Sequence, residues 1–161
     1  MKQLYILVAM LLLSISAFAQ DGRSLYNKYS DYDNVEAVYI SPAMFRLIGK
    51  IPDMEVQDGS VNLGPIIKTL SGLYILSIKE NRVAQDLADD VNRFINKGQY
   101  ELLMEAKDNG ETMRMYTVGD DFVVNSFVML AREADEVNFI CIDGTIPRDQ
   151  LEALIADAAK D

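Results

Sequence analysis

Residues Tyr100–Asp143 carry the strongest fold signal of the chain and read YELLMEAKDNGETMRMYTVGDDFVVNSFVMLAREADEVNFICID. Runs of β-forming residues alternate in it with turn signals, of which Asn109-Gly110 is typical of a two-residue hairpin. Four strands joined by tight turns favour an antiparallel meander, because parallel pairing needs long crossover connections. The predicted strands are 100–107, 111–118, 122–132 and 137–143.

The segment before the meander mixes helix and strand patterns. Its clearest element is an amphipathic helix over Arg82–Lys97, which ends before Gly98. Strands are predicted over 35–40 and 73–78, and the second is apolar on both faces, which is typical of a strand inside a sheet. Shorter helices are predicted over 25–29, 42–48 and 65–70, and a loop over 50–62.

The chain ends on a further helix pattern, which Pro147 opens. Its apolar residues Leu151, Leu154, Ile155 and Ala158 share one face. The element order indicates a single α+β domain over residues 20–161, a mostly antiparallel sheet with a four-strand C-terminal meander and helices packed on it.

Both strands of the last hairpin carry apolar residues at odd and even positions, so both faces of the sheet need a cover. We expect helices 82–97 and 147–159 to cover one face. We expect helices 42–48 and 65–70 to cover the other face, wholly or in part. Any part left uncovered would be an exposed apolar patch, which marks an interaction site.

The first nineteen residues have the pattern of a signal peptide. Lys2 supplies the charged start, Leu4–Leu13 is an unbroken apolar run, and Ala17-Phe18-Ala19 is a small-x-small cleavage motif. The run is shorter than the ~20 residues that a membrane span needs. We predict cleavage after Ala19 and, because no Cys follows the motif, no lipid-modified N-terminus.

Composition excludes several classes of function. The 161 residues hold 25 acidic and 15 basic side chains, a net charge of −10, no His and one Cys. Without His there are no His-based triads or His-containing metal sites. The acidity argues against nucleic acid and against anionic membrane surfaces. A single Cys excludes an intramolecular disulfide.

No motif of a known catalytic class occurs, so we predict no catalytic, cofactor-binding or metal-binding residues. Cys141 lies in an apolar strand and is predicted to be buried and structural. The carboxylates of Asp89-Asp90, Asp120-Asp121 and Asp143 are interpreted as exposed or turn-forming groups, with acid–base catalysis and weak Ca²⁺ binding as alternatives.

Four methionines fall on the predicted meander, namely Met104, Met113, Met115 and Met129. A simple register of the Asn109-Gly110 hairpin places Met104 beside Met113 and Met115. We interpret these residues as core filling, because Met packs into irregular gaps. One alternative is an adaptable apolar groove for a peptide or lipid, and another is a site of soft copper ligands.

Three motifs resemble an uncharacterised family, domain-of-unknown-function family 4252. They are the segment Val35–Phe45 after Tyr26 and Tyr29, the strand Gln99–Met104 before a charged hairpin, and Ile142–Ile146 before a Leu-containing helix. The resemblance covers nearly all of the chain after residue 19. It implies a small exported protein of a Gram-negative bacterium and carries no catalytic residues.

Together these observations predict an exported, non-enzymatic envelope protein, periplasmic or extracellular, that binds an unidentified protein partner. After signal cleavage we expect no stable membrane insertion, no nucleic acid and no cofactor. Two alternatives stay open, a carrier of a small apolar ligand and a carboxylate-dependent hydrolase.

Overall fold

The structure, a computed structural model, describes residues 22–48, 64–79 and 82–152. In these residues six strands form one antiparallel sheet in the order β1-β2-β6-β5-β4-β3. The strands are β1 (Val35–Ile40), β2 (Leu70–Lys79), β3 (Glu101–Asp108), β4 (Glu111–Gly119), β5 (Val123–Arg132) and β6 (Glu136–Pro147).

Helices accompany the sheet in the order expected for an α+β fold. They are α1 (Gly22–Tyr29), α2 (Pro42–Ile48), α3 (Gly64–Ile67) and α4 (Arg82–Lys97), and residues 148–152 are also helical. Among the described helices, none is both long enough and apolar enough to cross a membrane.

The predicted meander is confirmed, since β3, β4, β5 and β6 pair in sequence order. The β3–β4 turn is built on Asn109 (φ 47°) and Gly110 (φ 91°), the positive φ values that a type I′ hairpin requires. Strand β2 lies inside the sheet between β1 and β6, as its two apolar faces predict.

One face of the sheet, the core face, is covered by α1 and α4. Both helices contact β2 and β6, and the stripe on α4 that includes Leu87 and Val91 is fully buried. From the sheet, Leu76, Val128 and Phe139 join this core with no exposed surface. The pairing of α1 with α4 was not predicted, because the helix at 25–29 is short and its apolar face is narrow.

Several element boundaries differ from the prediction, and α1 and β2 each begin three residues earlier than expected, at Gly22 and Leu70. The helix expected over 65–70 ends at Ile67, because Thr69 turns back to the Ile66 carbonyl and Leu70 pairs with Gly144 in the sheet. Strand β6 continues past Asp143 to Pro147, so the last helix begins one residue later than expected.

Three other predictions fall partly or wholly outside the described residues. They are the signal peptide over 1–19, the loop over 50–62 and the helix over 147–159 beyond residue 152.

Candidate protein-interaction surface

The face of the sheet opposite α1 and α4, called the methionine face below, carries an apolar row across all six strands. Residues that pair across antiparallel strands point to the same face, so the register defines the row directly. It runs Val38, Ile75, Ile140, Met129, Met115, Met104. The members at the two edges, Val38 and Met104, are 47% and 41% exposed, and the four between them are half-buried.

A second row on the same face lies beside the first. It pairs Ile40, Leu73, Ile142 and Phe127 across β1, β2, β6 and β5. None of these residues belongs to the main core cluster, and each keeps part of its surface accessible. The two rows therefore form an apolar surface outside the main core cluster. Helix α2 also contacts β2, and its Phe45 is buried without belonging to that cluster.

The four methionines all lie on this face, so their interpretation as core filling is wrong. Met113 and Met115 are two residues apart on β4, and Met115 pairs with both Met104 and Met129. The intervening Arg114 and the following Tyr116 point to the core face, where Arg114 binds Glu105 at 2.5 Å. The two-residue period of the strand thus turns the methionines away from α1 and α4.

Phe127 and Phe139 illustrate the difference between the faces. Phe139 is completely buried on the core face. Phe127 is half-buried on the methionine face, between Thr117 and Ile142. The sequence predicts both strands to be apolar on both sides, but it does not say which phenylalanine meets the helices.

A cleft of about 220 Å³ opens at the β3–β4 hairpin end of the methionine face. Ala106, Met113 and Ala131, which pair in one row, line it together with acidic residues that flank the adjacent turns. Those acidic residues are Asp108, Glu111 and Glu133. Sequence reasoning missed this arrangement, although the Asn109-Gly110 turn does place Asp108 opposite Glu111.

The sheet edge formed by β3 is exposed along its whole length, including Leu102 and Leu103. The pairing with β4 shifts between Leu102 and Met104, as in a β-bulge. Glu105 and Lys107 bind one another on the same strand. Bulges and charged side chains are the features that protect an edge from adding another strand.

Three of the aspartates singled out in the sequence, Asp90, Asp120 and Asp143, have side-chain hydrogen-bond partners in the fold. Asp120 accepts hydrogen bonds from the backbone N–H groups of Phe122 (2.8 Å) and Val123 (2.9 Å), and these bonds lower its pKa. The interpretation of Asp120 as a turn-forming residue is therefore confirmed.

Asp90 lies between α1 and α4 and joins them. Its carboxylate accepts hydrogen bonds from Lys28, Arg93 and the buried Tyr29 hydroxyl, the last at 2.7 Å. Partial burial raises the pKa of Asp90, but these hydrogen bonds outweigh it and lower the pKa to about 2. Burial and the bond to Asp90 raise the pKa of Tyr29. Long-range pairs of this kind leave no local signal in the sequence.

Cys141 is fully buried, as predicted, and reduced. Its Sγ lies 3.6 Å from the Ser126 hydroxyl and 3.4 Å from a carboxylate oxygen of Asp143. A Cβ at Gly22 would overlap this sulfur, so α1 approaches the sheet closely only because residue 22 is glycine.

The described residues contain no group of three or more His, Cys, Asp or Glu side chains that could hold a metal ion. A second cleft, of about 250 Å³, lies between α1 and α4 and is lined in part by Lys28, Asp90 and Arg93. Both clefts are smaller than the roughly 300–1,000 Å³ of typical small-molecule pockets.

Comparison with known proteins gives one match. No curated protein and no solved structure matches the chain. The model of one family, described as "Domain of unknown function (DUF4252)", matches residues 29–154, from the end of α1 into the helical segment after β6. The chain belongs to the DUF4252 family.

Proposed function

We propose that this chain is an exported, non-enzymatic envelope protein that binds another protein through the methionine face. The observation that carries the proposal is the apolar row from Val38 to Met104, which lies outside the core cluster. With strands about 4.8 Å apart, five spacings make the row roughly 24 Å long. Contiguous apolar surfaces of this extent mark interaction sites.

The position of α1 supports export. Cleavage after Ala19 removes the apolar run Leu4–Leu13 and leaves Gly22, the first residue of α1, in the chain. Gly22 contacts Cys141 in the core, so the proposed processing keeps the whole described fold.

The structural partners of the aspartates support a role without catalysis. A hydrolase would need two carboxylates fixed across a cleft, whereas Asp108, Glu111 and Glu133 beside the hairpin cleft all lie at exposed positions. Asp90 is bound by Lys28 and Arg93, and Asp120 holds the turn before β5.

Affinity capture from envelope extract, followed by mass spectrometry, tests the proposal. The chain offers a matched pair of variants, because Met104 and Met44 are 41% and 46% exposed, and Met104 lies on a strand of the methionine face whereas Met44 lies on α2. We expect the Met104→Asp protein to lose a partner that the wild-type and Met44→Asp proteins retain. Equal capture by all three proteins would contradict the assignment of the surface.

A further inference from the structure

We infer that the segment docking on the methionine face is a basic amphipathic helix of the partner protein. The inference rests on the proposed function and specifies the chemistry of the occupant. The fold itself shows how such a sheet is covered, because the core face is closed by the amphipathic helices α1 and α4. A row about 24 Å long matches a helix of roughly 16 residues at 1.5 Å per residue.

The methionines determine what this face can accept. Met104, Met115 and Met129 occupy three adjacent strands, and together they span about 10 Å, the diameter of a helix. Met side chains are unbranched and polarizable, so they adapt to apolar side chains of different shapes. The apolar side of an amphipathic helix fits such a surface.

The acidic residues at the hairpin end set the charge of the occupant. Asp108, Glu111 and Glu133 line the cleft beside Met113, and within the described part of the chain none of the three forms an ion pair. Two basic residues also line the cleft. Lys107 is bound to Glu105, and Arg132 offsets one of the three negative charges, so the cleft stays acidic.

A Lys or Arg side chain suits this cleft. Its aliphatic stem would lie on Ala106, Met113 and Ala131, and its charged end would reach the carboxylates. The net charge of −10 favours encounter with a basic partner for the same reason.

The net negative charge of the chain disfavours two other possible occupants of the methionine face. A second copy of the chain would bring another −10 to the interface, and an anionic lipid surface would also repel it. Addition of a strand at the β3 edge is opposed by the bulge at Leu102–Met104 and by the charged Glu105 and Lys107.

The test is calorimetric titration of the purified protein with a 16-residue peptide carrying leucine and lysine at helical spacing. One control peptide replaces every lysine by glutamate, and the other has the same composition in scrambled order. We expect the basic amphipathic peptide to bind at least roughly tenfold more tightly than either control.

Variants locate the binding on the protein. Met104→Asp should weaken binding roughly tenfold, whereas Met44→Asp should change it by less than about twofold. Glu111→Gln combined with Glu133→Gln should weaken binding roughly threefold to tenfold, because it removes charges beside the cleft. Asp31→Asn combined with Asp33→Asn, at exposed positions before β1, is the matched charge control and should have no effect.

Equal binding of the scrambled peptide would show attraction by charge alone and would overturn the inference. Absence of binding, or equal losses in the Met44→Asp and Met104→Asp proteins, would overturn it too. If the peptide does not bind but envelope capture still depends on Met104, the inference fails and the proposed function stands. If capture is also independent of Met104, both fail.

Discussion

The two faces of the sheet are built from similar residues but have different neighbours. On the core face, Leu76, Val128 and Phe139 meet α1 and α4 and lose all exposure. On the methionine face, Ile75, Met129 and Phe127 sit on the same strands and keep accessible surface. An apolar pattern therefore predicts that a face of the sheet packs against something. Only the tertiary structure shows whether helices of the same chain pack there.

The largest expected effect separates the two phenylalanines. Phe139→Asp places a charge in the packed core and should cost about 4 kcal/mol or more of unfolding free energy. Phe127→Asp should cost roughly 1–2 kcal/mol, because the new carboxylate keeps access to water. Thermal and urea unfolding measure both. Equal destabilisation by the two variants would mean that both faces of the sheet are packed core, and it would contradict the difference in exposure between Phe127 and Phe139.

The next prediction concerns the close approach of α1 to the core face. Gly22→Ala puts a methyl group onto Cys141 Sγ and should destabilise the fold by roughly 1–3 kcal/mol. Combining it with Cys141→Ala removes the sulfur, so the double variant should lose less stability than the sum of the two single variants. Additive losses in urea unfolding would show that residue 22 does not press on Cys141.

The contacts of Asp90 with Lys28 and Tyr29 of α1 and with Arg93 of α4 give a smaller and pH-dependent effect. Because the pKa of Asp90 is lowered to about 2, its stabilisation is complete above pH ~4 and disappears as the pH falls towards 2. Asp90→Asn should cost about 1–2 kcal/mol at pH 7 and progressively less below pH 4.

The matched control for Asp90→Asn is Asp89→Asn, which changes an exposed neighbour on the same helix. Urea unfolding across the pH range compares the two variants. A cost for Asp90→Asn that stayed constant down to pH 2 would contradict the assigned role of its carboxylate.

The smallest effect is expected at a residue that belongs to neither face. Asp120→Ala removes the acceptor for two backbone N–H groups and should cost about 1 kcal/mol. Asp120→Asn combined with Asp121→Asn keeps an acceptor and should leave folding and partner capture nearly unchanged. Loss of a measured activity in that double variant, with an unaltered melting temperature, would favour the hydrolase.

Much of the fold follows from local signals in the sequence. Alternation and the Asn109-Gly110 turn predict the meander and place Met104 near Met115, and helical spacing predicts α4. The order of strands does not follow, because β2 pairs with β6 across more than fifty residues and no local pattern records that choice.

The candidate surface is predictable only in part. The two-residue spacing of Met113 and Met115 shows that they share a face, but it does not show which face α1 and α4 cover. The bonds of Asp90 to α1 and the cleft beside Met113 depend on contacts between distant segments. Because the chain has no His, its composition excludes a His-dependent catalytic centre at these contacts.

The accessibility of the methionines in the folded protein distinguishes an open methionine face from a second core. The measurement is mild peroxide oxidation in the absence of denaturant, with mass spectrometry following the formation of sulfoxide at each methionine. We predict that Met104 oxidises about as fast as the exposed Met44, and that Met113, Met115 and Met129 follow before any global unfolding. The opposite result would be that Met44 reacts at once while the four methionines of the methionine face react only at the rate of global unfolding. That result would show that the methionine face is a second core and would contradict its assignment as an open surface.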